Sequence, residues 1–348
     1  MRDENSLLVS IVIPCRNEEK FIGKCLDSII DNHFPQDRLE VLVVDGMSED
    51  GTKEVVSEYA RKNSFIKRLV NSERITPTAM NIGIKSAKGD IIILVNAHSI
   101  LDKEFLKYSV EYLDKTKADA IGGALRTIND VNSLIARAIP LAVDSALGAG
   151  GRRYRNRTEE GWIRDTLPYC AYRKEIFEKL GFIDEELVRA QDAEFNYRIL
   201  RSGGRIYYSP KIKSYLHIRP TLGKLWRQHY QYGCHKPLVI RKAGVGLMWR
   251  QSVPGLFVGS MLISLVISII FRPFIWLLVS ILGVYAIAVL GSSLMISINN
   301  GIKYFLVLPF IFATLHFSYG IGYLKGLLGL IVSRRNQGRQ IKDLPLSR

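Results

Sequence analysis

The chain has 348 residues and a formal net charge of +15, enough length for one sizeable α/β domain plus an appendage. Its four cysteines, Cys15, Cys25, Cys170 and Cys234, lie far apart, with no C-x-x-C pair and no histidine at zinc-finger spacing, which excludes a disulfide framework and a structural zinc site and fits a reducing compartment. The charge is also uneven: residues 196–348 carry 20 Lys and Arg against the single acid Asp343, while residues 1–195 carry 28 against 32 acids. The basic half is the hydrophobic half, so an anionic membrane surface is the expected partner and nucleic acid is not.

From the N-terminus, Met1 to Ser10 holds Arg2, Asp3 and Glu4 and no apolar run before a small-residue cleavage site, so the first domain is expected to stay where it is made. Leu8 to Pro14 then reads as a strand, Glu18 to Ile30 as a helix, Leu39 to Val44 as a strand ending at Asp45, and Gly51 to Lys62 as a helix. Thr78 to Ser86 continues as a helix and Asp90 to Val95 as a buried strand ending at Asn96, Ala97 and His98. That alternation predicts a parallel sheet with helical crossovers. Ligands of open α/β sheets bind at the carboxyl ends of strands, which makes Asp45 and residues 96–98 site candidates by position. Neither G-x-G-x-x-G nor a Walker lysine motif follows any of these strands, so dinucleotide and P-loop chemistry is not expected.

In the C-terminal third, Pro254 to Phe271 and Pro273 to Ile298 are almost free of charge, and about 20 apolar residues suffice to cross a bilayer. They predict a hairpin of two spans that begins and ends on the side of Arg241, Lys242 and Arg250, the cytoplasmic side by the positive-inside rule. A third stretch, Tyr304 to Val332, contains Pro309 and Lys325 and leads into Arg334, Arg335 and Arg339. One crossing there would set this basic tail outside, against the rule; an interfacial or re-entrant helix, or two short spans, would keep it inside.

SIVIPCRNEEKFIGKCLDSI (Ser10–Ile29), VLVVDGMSEDGT (Val41–Thr52), MNIGIKSAKGDIIILVNAHS (Met80–Ser99) and RAQDAEFNYRILRSGG (Arg189–Gly204) resemble, in that order, the blocks of family 2 glycosyltransferases of GT-A fold. The resemblance covers Ser10 to Lys236. Within the family, the NAH segment, GAGGRRYR (Gly148–Arg155) and LWRQHYQYG (Leu225–Gly233) are most similar to succinoglycan-type exopolysaccharide glucosyltransferases acting on lipid-linked acceptors.

The resemblance implies roles that stand beside plainer ones. Asp45 would accept hydrogen bonds from the uracil and ribose of a nucleotide, or cap a turn. Pro14, Asn17 and Glu18 would line the nucleotide pocket, with a helix cap as the alternative for Glu18; Arg74 and Asn81 would reach the nucleotide, with a solvated loop charge as the alternative for Arg74. Asn96-Ala97-His98 stands where the family has its D-x-D motif, so His98 would be the direct ligand of a Mg²⁺ or Mn²⁺ ion, with Asn96 on the ribose or a metal-bound water, or His98 is an ordinary hydrogen-bonded residue. Asp102 reads as a helix cap. Asp192 matches the family's general base, one carboxylate being enough for an inverting transfer. Glu194, two residues on in a helix, would not share its face. Arg152, Arg153, Arg227, Gln228 and His229 would meet the donor diphosphate or the acceptor, or belong to a basic loop and an interfacial helix. Processive relatives carry Q-x-x-R-W where this chain has Q-H-Y-Q-Y.

The expected architecture is therefore a GT-A nucleotide-sugar-binding domain over residues 1–236, an interfacial linker over 237–253, a membrane region over 254–333 and a basic cytoplasmic tail over 334–348. The expected activity is inverting transfer of a sugar from a nucleotide sugar, a UDP-sugar, to a polyprenyl-linked or other glycolipid acceptor at the cell membrane, the catalytic domain being cytoplasmic. The alternatives are a processive polysaccharide synthase and a membrane scaffold that has lost catalysis.

Overall fold

The computed structural model describes residues 7–128, 131–148, 157–164, 166–217, 220–243 and 249–332; the expectations for Arg152, Arg153 and the tail lie outside the described residues. The chain divides into two compact units, one of residues 1–127 and 154–217, the other of residues 128–153 and 218–348.

The first unit is built on a sheet whose described strands run in the order β3-β2-β1-β4-β8-β6-β9-β5, with β7 on β9. β1 (Val9–Cys15) lies parallel between β2 (Leu39–Asp45) and β4 (Ile91–Leu94), and β3 (Ile66–Val70) extends the parallel half beyond β2. β1, β2 and β4 are apolar on both faces because both are covered. Val9, Ile11 and Ile13 pack on Ile22 and Leu26 of α1 (Glu19–Ile30); Val12, Leu42 and Val44 pack on Met80 and Ile84 of α3 (Thr76–Ser86). α2 (Thr52–Lys62) connects β2 to β3. The other half is antiparallel: β8 (Ala171–Arg173) pairs β4, β6 (Ala120–Ile128) pairs β8, and β5 (Ser99–Leu101) and β7 (Gly161–Ile163) pair β9 (Ile206–His217). α4 (Phe105–Thr116) follows β5, while α6 (Glu175–Leu180) and α7 (Gln191–Arg201) close the sheet after β8. There Phe177 stacks on Phe195 at 4.6 Å, and both meet Tyr172 edge-on.

At the amino ends of the strands, buried Glu40 accepts hydrogen bonds from the Ser10 hydroxyl (2.8 Å), the Lys88 amide (2.9 Å) and Lys67 Nζ (3.0 Å). Burial alone would raise its carboxyl, but these donors outweigh it and hold the group below the usual range. A depressed carboxyl contributes stability that is present above its unfolded value and lost as pH falls through its folded one. Glu40→Gln is expected to lower stability by about 1–3 kcal/mol at neutral pH, and the deficit should shrink on acidification in unfolding midpoints measured across pH.

The second unit holds α5 (Leu134–Val143), α8 (Leu222–Ala243), α9 (Trp249–Ile270), α10 (Phe274–Asn300) and α11 (Leu308–Val332). α9 and α10 match the expected hairpin. The third stretch forms one continuous helix, because Pro309 falls in its first turn, where a missing N–H does no harm. By length and composition all three are able to cross a membrane. Leu222 to Lys236, expected to belong to the GT-A domain, groups instead with these helices: Leu225 is buried with Ile139, Leu308 and Phe312.

Candidate active site

β1, β2 and β4 end side by side, and the loops that follow them carry the chemistry. The loop after β1 is fastened to the loop after β2: the Asn17 amide donates to Ser48 Oγ (2.9 Å), the Glu49 amide to Asn17 Oδ1 (2.9 Å) and the Glu18 amide to Thr52 Oγ1 (2.8 Å). Asp45 is only 2 % exposed. Its Oδ1 accepts from the Ser48 amide (3.0 Å) and hydroxyl (2.7 Å), and its Oδ2 pairs with Arg68 (3.3 Å). The turn-closing role open to Asp45 in the sequence is thus realised, and it aims the carboxylate at the strand end. Arg16 and Arg74 both reach exposed Glu49, at 3.7 and 3.6 Å. Pro14 is buried within β1.

Glu18 makes no side-chain cap on α1. Its Oε1 instead lies 3.3 Å from His98 Nδ1. A carboxylate on Nδ1 fixes the imidazole tautomer and leaves Nε2 as the atom able to bind a ligand. Asn96 Nδ2 donates to the Tyr169 hydroxyl (3.0 Å), which also accepts from Ser99 Oγ (2.7 Å). Burial pushes the Tyr169 phenol upward, and the nearby charge of Asp192 adds to the rise. Tyr169 therefore ties Asn96 to Ser99. Beneath it, Cys25 Sγ lies 3.7 Å from the Asn96 carbonyl, and burial pushes its thiol up to about 12, which removes it as a nucleophile at neutral pH.

Asp192 stands in the first turn of α7, entered through left-handed Ala190 (φ 59°), and its Oδ1 accepts from the Ala193 amide (2.8 Å). Glu194 turns the other way and forms a two-point pair with Arg198 (3.0 and 2.5 Å), so it is no second carboxylate for the same substrate. Left-handed non-glycine residues are costly and gather where function holds them. Asn17, Met47, Arg74, Tyr169 and Ala190 all adopt φ of 50–60°, each in a loop of this end of the sheet.

One expectation for the nucleotide pocket changes. Asn81 does not present its amide to the strand ends: Nδ2 donates to the Ile183 carbonyl (2.9 Å) and Glu185 (2.8 Å), and Oδ1 accepts from the Ile183 amide (3.0 Å), so it fastens α3 to the 183–185 loop. On α8, Arg227 is exposed, Gln228 Nε2 donates to the Tyr232 hydroxyl (3.3 Å), and buried His229 uses Nδ1 on the Leu225 carbonyl of its own helix (3.1 Å). Asp102, expected to cap a helix, instead closes the turn before α4 by accepting from the Glu104 amide (3.2 Å), Glu104 being the N-cap residue, whose side chain makes no cap.

Sequence reasoning missed Ser48, Tyr169 and His217. Ser48 was legible as the third residue after Asp45. Tyr169 precedes β8 with no local signal, and His217 ends β9, where its amide donates to the His98 carbonyl (3.2 Å) only because β5 pairs β9. Tyr169→Phe keeps the ring but removes the acceptor for Asn96 and Ser99. It is expected to cost about 1–3 kcal/mol, read as a lower unfolding midpoint, and to slow sugar transfer more than it weakens donor binding.

A sheet of this order with its polar groups at the carboxyl ends is an open α/β sheet with its candidate ligand site at the strand ends. The model for glycosyl transferase family 2 matches residues 10–181. A dolichyl N-acetyl-alpha-D-glucosaminyl phosphate 3-beta-D-2,3-diacetamido-2,3-dideoxy-beta-D-glucuronosyltransferase of Methanococcus voltae is 30% identical over 325 residues, covering 92% of this chain and 97% of the relative. The succinoglycan biosynthesis protein ExoA of Rhizobium meliloti is 28% identical over 324 residues, covering 91% and 94%. Among solved structures, the mannosyltransferase PcManGT from Pyrobaculum calidifontis, in complex with GDP-Man and Mn²⁺, shares the fold with a TM-score of 0.59 at 20% identity, covering 93% of this chain and 88% of that one. The chain belongs to glycosyl transferase family 2: it is an inverting glycosyltransferase with a GT-A domain followed by apolar helices long enough to span a membrane.

Proposed function

We propose that this glycosyltransferase moves one sugar from a UDP-sugar to a polyprenyl-linked or other glycolipid saccharide at the cytoplasmic face of the cell membrane. The observation that carries the reading is the set of hydrogen bonds at the strand ends that joins Asp45 to Ser48, Ser48 to Asn17, Glu18 to His98 and Asn96 to Tyr169, with Asp192 near enough for its charge to raise the Tyr169 phenol. In it, Asp45 receives the nucleotide and Asp192 takes the proton of the acceptor hydroxyl. As that oxygen attacks the anomeric carbon, the bond to the diphosphate breaks on the opposite face, and the nucleoside diphosphate leaves. Similarity along nearly the whole chain to a relative named for a dolichyl-linked sugar phosphate supports a lipid-linked acceptor, and the apolar helices support a membrane location. The basic residues that flank α9 in the sequence support the cytoplasmic side.

Among the described residues, no three His, Cys, Asp or Glu side chains gather to hold a metal ion by themselves. His98 Nε2 is nevertheless a suitable single donor, and the donor's diphosphate would complete the set. A divalent cation bound there would neutralise charge on the departing diphosphate. Imidazole suits Mn²⁺ better than Mg²⁺, so activity is expected to be higher with Mn²⁺, and His98→Ala to abolish the difference between the two ions in a titration of each.

The Q-H-Y-Q-Y segment in place of Q-x-x-R-W favours single transfer over polymerisation. Mass spectrometry of lipid-extracted products tests this: a product one sugar heavier than the acceptor supports the reading, and a ladder of masses overturns it in favour of a processive synthase.

A further inference from the structure

By length and composition α11 is able to cross a membrane, yet its packing points elsewhere. It lies alongside α8 with backbones touching: a Cβ on Gly322 would come 2.1 Å from the Tyr230 carbonyl oxygen, one on Gly326 2.2 Å from that of Cys234, and one on Gly233 2.2 Å from that of Tyr319. The pairs 230 with 322 and 234 with 326 advance together, so the two helices run in the same direction, and where α8 lies α11 lies. α8 is not a hydrocarbon helix: it carries Lys224, Arg227, Lys236, Arg241 and Lys242, with Arg227 and Arg241 exposed, and charges are costly in the bilayer core.

Against the hairpin, α11 runs across rather than along. Near Leu308 to His316 it meets α10, with the Tyr285 hydroxyl 3.1 Å from His316 Nδ1. Phe317 then touches both legs, 5.7 Å from Phe257 and 5.9 Å from Tyr285. Beyond it, Gly320 abuts Pro254 and Val258, and Tyr323 abuts Gly255 and bonds Ser252 (2.9 Å). α11 passes from the middle of α10 to the first turns of α9 within three turns. The legs towards the turn expose Leu262, Ile269, Ile270, Trp276, Leu277 and Val284, as lipid-facing helices do.

We propose that α8 and α11 together form a platform lying in the plane of the membrane surface, that only α9 and α10 cross the bilayer, and that the chain ends on the side on which α8 begins. α11 is apolar all round because its faces are divided between a buried core with α5, α8 and α10 and the lipid surface. Phe310, Ile321, Leu328 and Val332 form its exposed stripe, with Lys325 at the edge, its ammonium 5.7 Å from the Tyr230 ring centre, an arrangement suited to an anionic interface. The sequence beyond α11 carries Arg334, Arg335 and Arg339, which the positive-inside rule assigns to the side of Arg241 and Lys242. Which side that is rests on the cytoplasmic reading above.

Single cysteines at Lys53, Arg272 and Ser347 of the full chain, labelled in intact and permeabilised cells with a membrane-impermeant maleimide, test the platform. The four native cysteines are buried and give the blank. The expected result is Arg272→Cys labelled in intact cells, with Lys53→Cys and Ser347→Cys labelled only after permeabilisation. Lys53→Cys and Ser347→Cys on opposite sides would overturn the platform, as would Arg272→Cys sharing a side with Lys53→Cys. If Lys53→Cys and Ser347→Cys react together in intact cells and Arg272→Cys does not, the platform stands and the cytoplasmic orientation fails.

Discussion

Asp192→Asn is expected to lower turnover by about 10²–10⁴-fold, the usual contribution of a positioned general base, and to leave the dissociation constant of the donor unchanged. Asparagine has the same shape and can still accept from the Ala193 amide through its Oδ1, as Asp192 does at 2.8 Å, so the start of α7 should keep its geometry. What it loses is the capacity to take the acceptor proton. Glu194 cannot substitute, because both of its oxygens are engaged by Arg198. Single-turnover rates and donor affinity measured on the same preparations separate these effects. Unchanged turnover would remove Asp192 from the mechanism, and an equal loss of binding would make it a structural residue.

Gly322→Val is expected to be strongly damaging although it lies outside the site. Its Cβ would lie 2.1 Å from the Tyr230 carbonyl oxygen and 3.1 Å from the Cys234 amide, both backbone atoms that no rotamer change can move. Overpacking costs about 1–3 kcal/mol where side chains give way, and more where they cannot. α8 and α11 must therefore separate, and the detergent-solubilised protein should show a sharply lower unfolding midpoint. Gly291→Ala is the matched control: it is also a helical glycine, but a Cβ there meets nothing within 4 Å, so it should be neutral or slightly stabilising. Equal behaviour of the two variants would contradict the close α8–α11 contact.

The parallel half of the sheet was legible because its strands are short apolar runs separated by helical patterns, and the observed β1, β2 and β4 begin and end within a residue or so of the expected ones. β3 was harder: IKRLV alternates weakly and is half exposed, so only its pairing with β2 identifies it. The site divided in the same way. Asp45 and His98 follow their strands directly in sequence, whereas Tyr169 and His217 arrive through antiparallel pairing across the chain, for which single-chain periodicity has no signal. Asn81 was misplaced for a related reason, since its partners Ile183 and Glu185 lie about a hundred residues away. Composition left the topology of α11 open, because a helix buried in a protein core and one buried in lipid look alike by hydropathy.

The central claim is metal-assisted transfer from a nucleotide sugar by the site around Asp45, His98 and Asp192. Release of the nucleoside diphosphate from a panel of UDP-, GDP- and dTDP-sugars tests it most directly, using purified full-length protein with membrane lipid extract, with and without Mn²⁺ or Mg²⁺. The account predicts release from a UDP-sugar that requires the lipid extract and the metal and disappears in Asp192→Asn. No release from any sugar nucleotide under these conditions would contradict it and leave a membrane scaffold that has lost catalysis.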